Sequence, residues 1–148
     1  MTVYIVDTNI VLSAALNPDG NIAQFVLSAA DYKIQLAAPS FMKRELAKHA
    51  DKVVERTGLL LEEVEQLIDH LYGHFTIVDD ADIPIVDYMK AAKFVNQVDA
   101  DDITFIALGI HKNCYLLTGD LALYRGVLAK GYAKVITFQE LKEKHNIA

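Results

Sequence analysis

Val3-Tyr4-Ile5-Val6-Asp7-Thr8-Asn9-Ile10-Val11-Leu12 is the stretch from which the fold is read. Its first four residues are β-branched, aromatic and aliphatic, the make-up of a short buried strand, and the run stops at an acid. From Asn9 the apolar residues continue as a helical stretch that breaks at Asn17-Pro18-Asp19-Gly20, a cluster of turn formers. The order is strand, acid, helix, turn.

The same alternation runs on along the chain. Ile22, Phe25, Val26 and Ala29 recur at helical spacing, and Ile34 to Ala38 is a second apolar run closed by Pro39. Ser40 is placed to N-cap a helix carrying Met42, Leu46, Ala50 and Val53 on one stripe as far as Gly58. Leu60 to Leu71 reads as an amphipathic helix, Phe75 to Val78 as a short strand, and Asp79-Asp80-Ala81-Asp82 as a solvated acidic loop. Pro84 opens a further helix. Ile103, Ile106, Ala107 and Ile110 mark another, Tyr115 to Leu117 a strand, Leu121 to Leu128 a helix and Val135 to Phe138 a last strand. Gln139 to His145 is expected as a short exposed helix. Alternation of this kind requires crossover connections, so the expected class is α/β: a three-layer α/β/α domain with a mostly parallel central sheet. With no repeat or linker, residues 1–148 read as a single domain with its core at about 2–138.

Composition narrows the function classes. The chain has 148 residues, 53% hydrophobic and 23% charged, which excludes a disordered or collagen-like protein. Its one cysteine, Cys114, allows no internal disulfide and no Cys-rich zinc module, which fits a reducing compartment, and the expected location is the cytoplasm. The start has no basic region and meets Asp7 after a few residues, so no signal peptide or membrane span is expected. The net charge of −6 weighs against tight clamping of phosphate backbones by the whole surface. It leaves room for an enzyme that reaches phosphates through bound divalent cations, which needs carboxylates at its centre and a modest basic rim.

Carboxylates fall where such an enzyme needs them. In parallel sheets ligands bind beyond the carboxyl ends of the strands. Asp7 ends the first strand, and Asp120 follows the strand at Tyr115 to Thr118 by two residues. Crossover helices begin at that same edge: Asp99-Ala100-Asp101-Asp102 opens one, and Glu45 lies five residues into the helix that Ser40 opens, roughly 7–8 Å down its axis. Several acids crowded together either share protons or bind a cation. Oxygen-only ligands suit Mg²⁺ or Mn²⁺ better than zinc.

With these residues in view, the chain resembles the PIN-domain family. The resemblance is carried by Ile5-Val6-Asp7-Thr8-Asn9-Ile10, by an acid in the helix after the second strand, by Asp101-Asp102-Ile103-Thr104-Phe105-Ile106-Ala107-Leu108 and by Leu116-Leu117-Thr118-Gly119-Asp120, in that order. It implies a Mg²⁺- or Mn²⁺-dependent ribonuclease acting on single-stranded or structured RNA, of the kind found as toxins of toxin–antitoxin pairs. A homodimer and an antitoxin protein are the partners it implies. Carried over by position, the catalytic acids would be Asp7, Glu45, Asp102 and Asp120. Asp7 and Asp102 would be the direct metal ligands, Asp120 a ligand directly or through water, and Glu45 would orient the attacking water. Thr8, Asn9 and Thr118 would support the site. Asp99 and Asp101 compete with Asp102 for the third place, and counting back from Gly109 favours Asp102.

Other readings of the same residues exist. Asp99 to Asp102 and Asp120 could be ordinary helix-start acids, Asp7 could hold a turn and Glu45 could be a solvated helix acid. Lys43, Arg44 and Lys48 could contact RNA, with Lys90, Lys93 and Lys112 extending that rim, or simply keep the protein soluble. His70 and His74 have metal-pair spacing without a third ligand, and Cys114 is expected as a buried small hydrophobe. At the level of function, the alternatives are a non-catalytic nucleic-acid-binding or scaffolding PIN domain and an aspartyl-phosphate enzyme. Phosphatases of the latter kind need a second Asp where Asn9 stands, and receivers need a different order of acid and lysine. A dinucleotide site is disfavoured because no G-x-G-x-x-G follows a strand.

Overall fold

Tyr4, Ile5 and Val6 are fully shielded from solvent. They belong to β1 (Thr2–Val6), the central strand of the sheet in the computed structural model of this chain, which describes residues 1–95 and 101–148. The other strands are β2 (Ile34–Pro39), β3 (Phe75–Val78), β4 (Tyr115–Leu117) and β5 (Val135–Ile136). Among the described residues these form a five-stranded sheet in the order β3-β2-β1-β4-β5, and every pairing is parallel. A strand covered on both faces needs apolar side chains on both, which is why the first run reads as continuous and not alternating.

The helices are α1 (Thr8–Leu16), α2 (Asn21–Ser28), α3 (Phe41–Lys48), α4 (Ala50–Thr57), α5 (Leu61–Tyr72), α6 (Ile85–Ala92), α7 (Asp101–Lys112), α8 (Leu121–Ala129) and α9 (Phe138–His145). The chain steps from β1 to β2 to β3 in one direction and reaches β4 and β5 on the other side of β1. Right-handed crossovers therefore put α1 to α5 on one face and α6 to α8 on the other. The packing agrees: α1 lies against α2, α3, α4 and α5, while α6 packs on α7, and α7 on β1, β2 and β4. The expected three-layer α/β/α architecture is the observed one. No helix among the described residues is long and apolar enough to cross a membrane.

Local departures from the sequence reading come partly from contacts between distant segments and partly from local capping. The stripe from Met42 to Val53 is split at His49, whose φ of −102° and ψ of 2° end α3 and begin α4. Ser40 has helical backbone angles and does not cap α3 with its side chain. Asp80 takes that role: its Oδ1 accepts from the Phe41 N–H at 3.1 Å, and the Asp80 N–H donates back to Ser40 Oγ at 3.1 Å. Parallel β2 and β3 end side by side, so the loop after β3 lies against the helix that follows β2. The acidic loop is thus partly structural and not merely solvated.

The final strand stops at Ile136, because Thr137 is the N-cap of α9 in a capping box with Glu140. Nor is α9 simply exposed. Leu141 is fully buried, Phe138 packs on Phe25 with ring centroids 5.4 Å apart, and His145 Nε2 lies 2.7 Å from the Tyr4 hydroxyl. Cys114 is half-buried just before β4, its thiol donating to the Lys112 carbonyl, and burial pushes the thiol's pKa up. This makes it an unreactive group, though less buried than its sequence setting suggests. If α9 is part of the core, Leu141→Ala lowers stability by about 2–5 kcal/mol in urea unfolding. A surface helix would lose less than about 0.5 kcal/mol.

Candidate functional site

The strand order reverses between β1 and β4, and in open parallel sheets that switch point is where a crevice forms beyond the carboxyl ends. Asp7 stands there, directly after β1. Its N–H donates to the Leu117 carbonyl at 3.0 Å, which extends the β1–β4 ladder by one bond and holds the acid against the Thr118-Gly119-Asp120 loop. The Asp7 residue is only 6% exposed, an uncommon place for a carboxylate. Thr118, buried beside it, donates its hydroxyl to Asp7 Oδ2 at 2.8 Å, and Thr118 Oγ1 in turn accepts the Asp120 N–H at 3.1 Å.

Each of the other acids is also fixed. The Thr8 hydroxyl donates to Glu45 Oε1 at 2.7 Å, so α3 delivers its acid to the residue next to Asp7. Asp120 Oδ1 accepts the Leu123 N–H at 3.1 Å, capping α8. The capping reading of Asp120 is therefore correct as far as it goes, and one carboxylate serves both the helix start and the crevice edge. Asp101 and Asp102 are half-buried in the first turn of α7. Asn113, with a φ of 54°, reverses the chain between α7 and β4. From it, eleven helical residues back to Asp102 climb about 16 Å, and five extended residues forward to Thr118 climb about the same. Asp102 and Thr118 stand at one edge. Asp99 lies outside the described residues.

Burial pushes the Asp7 carboxyl pKa up to about 6, against the pull of the Thr118 hydroxyl and the Asn9 N–H, and the charges of Glu45 and Asp120 raise it further. Both of those neighbouring charges are negative. The acids thus act on one another electrically, in a donor set made of oxygen. Among the described residues, however, no three acidic, imidazole or thiol groups close on one point in the geometry of a metal ion. Each of Asp7, Glu45 and Asp120 gives an oxygen to a protein donor, and a carboxylate has more lone pairs than such bonds consume. The chemistry of the donors is the kind a hard divalent cation takes.

Asn9, expected to support the site, meets a partner there that the sequence does not reveal. Asn9 Oδ1 accepts the Gly119 N–H at 3.0 Å, tying the start of α1 to the loop after β4. A β-carbon on Gly119 would lie 3.3 Å from that oxygen, so glycine keeps the approach open. The available signal was a glycine between Thr118 and Asp120, where a loop must pass close to another backbone. Lys43, Arg44 and Lys48 are exposed on α3, Lys43 over the Tyr72 ring and Arg44 over the Phe41 ring. Lys90, Lys93 and Lys112 are exposed as well. His70 and His74 are exposed and stack edge to face at 5.3 Å.

The chain matches the family model described as PIN domain over residues 5–142. No curated protein matches it. Among solved structures it shares its fold with VapBC2 from Rickettsia felis bound to a DNA fragment from their promoter, at 17% identity and a TM-score of 0.67, over 92% of this chain and 97% of that one. It is also similar to PAE2754 from Pyrobaculum aerophilum, at 13% identity and a TM-score of 0.65, over 99% and 91% of the two chains. The third is VapBC-1 from nontypeable Haemophilus influenzae, at 15% identity and 0.65, over 93% and 99%.

An acid whose pKa is higher folded than unfolded holds its proton longer in the native state, so its contribution to stability is lost as pH rises from about 4 through 6. For Asp7, raised from 3.8 to about 6, that loss is on the order of 3 kcal/mol. Denaturant unfolding in EDTA should therefore show Asp7→Asn gaining on the parent by 1–3 kcal/mol, roughly, between pH 4 and pH 7. A difference that is flat with pH contradicts the assignment.

Proposed function

Since this chain belongs to the PIN domain family, we propose that it is a divalent-metal-dependent endoribonuclease that hydrolyses RNA phosphodiester bonds and serves as the toxin of a toxin–antitoxin pair. The observation that carries the proposal is the buried Asp7 carboxylate at the switch point, with Glu45 and Asp120 adding negative charge to its surroundings. Such a cluster stays ionised at neutral pH when a cation offsets it.

Asp7, Asp102 and Asp120 would hold Mg²⁺ or Mn²⁺. Bound there, the ion would supply positive charge that screens the scissile phosphate and acidifies water at the site. The protein's own groups do the remaining work. Thr118 fixes the rotamer of Asp7 and the backbone of Asp120 together, through one hydroxyl. Thr8 holds Glu45 so that its carboxylate can orient the attacking water. Asn9 keeps the Gly119 segment in register with α1, while Asp101 adds negative charge at the start of α7. Lys43, Arg44 and Lys48 project from the helix that carries Glu45 and are placed to bind flanking phosphates, so that an acidic protein still offers RNA a local basic rim.

The toxin role and an antitoxin partner are supported by the likeness in fold to the two VapBC chains. A homodimer or an antitoxin contact also accords with the exposed apolar residues Ile85, Val86 and Met89 on α6. The expected setting is the cytoplasm. A second reading is a non-catalytic nucleic-acid-binding PIN domain.

The two readings part in one assay. Purified chain incubated with structured and single-stranded RNA should cleave in Mg²⁺ or Mn²⁺ and stop in EDTA. Asp7→Asn and Asp102→Asn should each lower kcat by about 10²-fold or more. RNA binding with no cleavage in either metal would establish the second reading, and cleavage that survives both substitutions would remove the acids from the mechanism.

A further inference from the structure

A groove of about 180 Å³ runs between α1 and the junction of α3 with α4. Leu12, Leu16 and Val53 form its apolar walls, and Asn9, Ser13, His49 and Lys52 its polar rim. Its volume exceeds the roughly 150 Å³ that accommodates a benzene ring and falls short of the roughly 300–1,000 Å³ of pockets for drug-sized ligands. It suits one flat heteroaromatic ring system. The break at His49 creates it: α4 sets off in a new direction, Val53 buries against α1, and the imidazole and Lys52 are left at the mouth.

Position and charge indicate what that ring belongs to. Asn9 is both a wall of the groove and the partner of the Gly119 N–H, two residues from Asp7, so an occupant lies beside the carboxylate edge. Five of the chain's 14 lysines and arginines fall between Lys43 and Arg56, along the α3–α4 ridge. Lys52 is exposed and makes no ion pair among the described residues. Asn9 spends its carbonyl oxygen on Gly119, which leaves its NH₂ to donate. Lysine ammonium and amide NH₂ are both donors, and among the two-ring bases the edge with two adjacent acceptors, N7 and O6, is that of guanine; adenine sets a donor beside its N7.

We infer that this groove is a subsite for one RNA base, guanine, adjoining the phosphate to be cut. The inference rests on the nuclease reading above for its role but not for its detection. The base inserts between Leu12, Leu16 and Val53, and Lys52 and the Asn9 amide read its acceptor edge.

The test is an NMR titration of the full chain with GMP, AMP, CMP and UMP in EDTA, combined with mapping of RNA cut sites in Mn²⁺. GMP is expected to shift the methyl signals of Leu12, Leu16 and Val53 and the His49 ring, and to bind at least fivefold more tightly than the other three. Ser13→Phe, which fills the groove from an exposed position on α1, and Lys52→Gln should each weaken GMP at least fivefold while thermal midpoints stay near the parent's. In cut-site mapping both should relax the preference for guanine next to the break. Equal response to all four nucleotides, or GMP affinity that neither variant alters, overturns the subsite. If the parent binds GMP selectively in the groove yet cuts no RNA, the subsite stands and the nuclease reading fails. If it cuts RNA with a pattern that both variants leave intact, the nuclease reading stands and the subsite fails.

Discussion

The hydrogen bond from Thr118 to Asp7 organises the rest of the site. It places a carboxylate at the end of the central strand, almost out of contact with water, where ionisation is costly. A structure tolerates such a group when something else repays the cost, and here the neighbours do the opposite, since the charges of Glu45 and Asp120 make the site more negative. The same threonine oxygen that holds Asp7 also receives the Asp120 N–H, so the first and the last of the four site acids are set by one side chain. Strain of this electrostatic kind is what separates the crevice from the many helix-start acids found in any α/β protein.

Around that bond lies a shell of short-range ties between segments far apart in sequence. Thr8 holds Glu45, Asn9 holds Gly119, and Asp80 holds the start of α3 while Ser40 holds Asp80. All involve residues at the carboxyl edge of the sheet, where loops meet. The order β3-β2-β1-β4-β5 brings them there, since it puts the ends of β1 and β4 side by side and lets α3 and α7 start at the same level. An acidic centre with basic residues to one side then follows from the placement of α3 and α4, in a chain whose net charge of −6 weighs against clamping phosphate backbones with its whole surface.

The sequence was most legible where short-range physics decides. Phe75 to Val78 and Tyr115 to Leu117 were read to the residue, and the run ending at Asp7 differs by one, because buried parallel strands are short apolar runs that stop at polar residues. The alternation of these runs with helical periods conveyed the layer order. What was not legible depended on partners brought from elsewhere. Nothing near Ser40 announces that Asp80 will cap its helix, and nothing near His49 announces a break. Thr137 competes with the β-like run Val135 to Phe138 and prevails through its capping box. Leu141 looked like one apolar residue on a polar helix, yet it is fully buried. For the acids, Asp7 and Asp120 could be placed from strand ends alone, and Glu45 from a helix start; Thr8 and Thr118 were expected to support them, but which carboxylate each hydroxyl holds is visible only in three dimensions.

We propose that Asp7 is buried in order to hold a cation together with acids from distant segments. This is tested most directly by a crystal structure of the chain soaked in Mn²⁺, read from the anomalous scattering of the metal. A peak is expected in the crevice between β1 and β4, coordinated by an Asp7 oxygen and by at least one acid from the start of α7. Anomalous peaks confined to the protein surface, with Asp7 still bonded to Thr118 alone in saturating metal, would contradict the proposal.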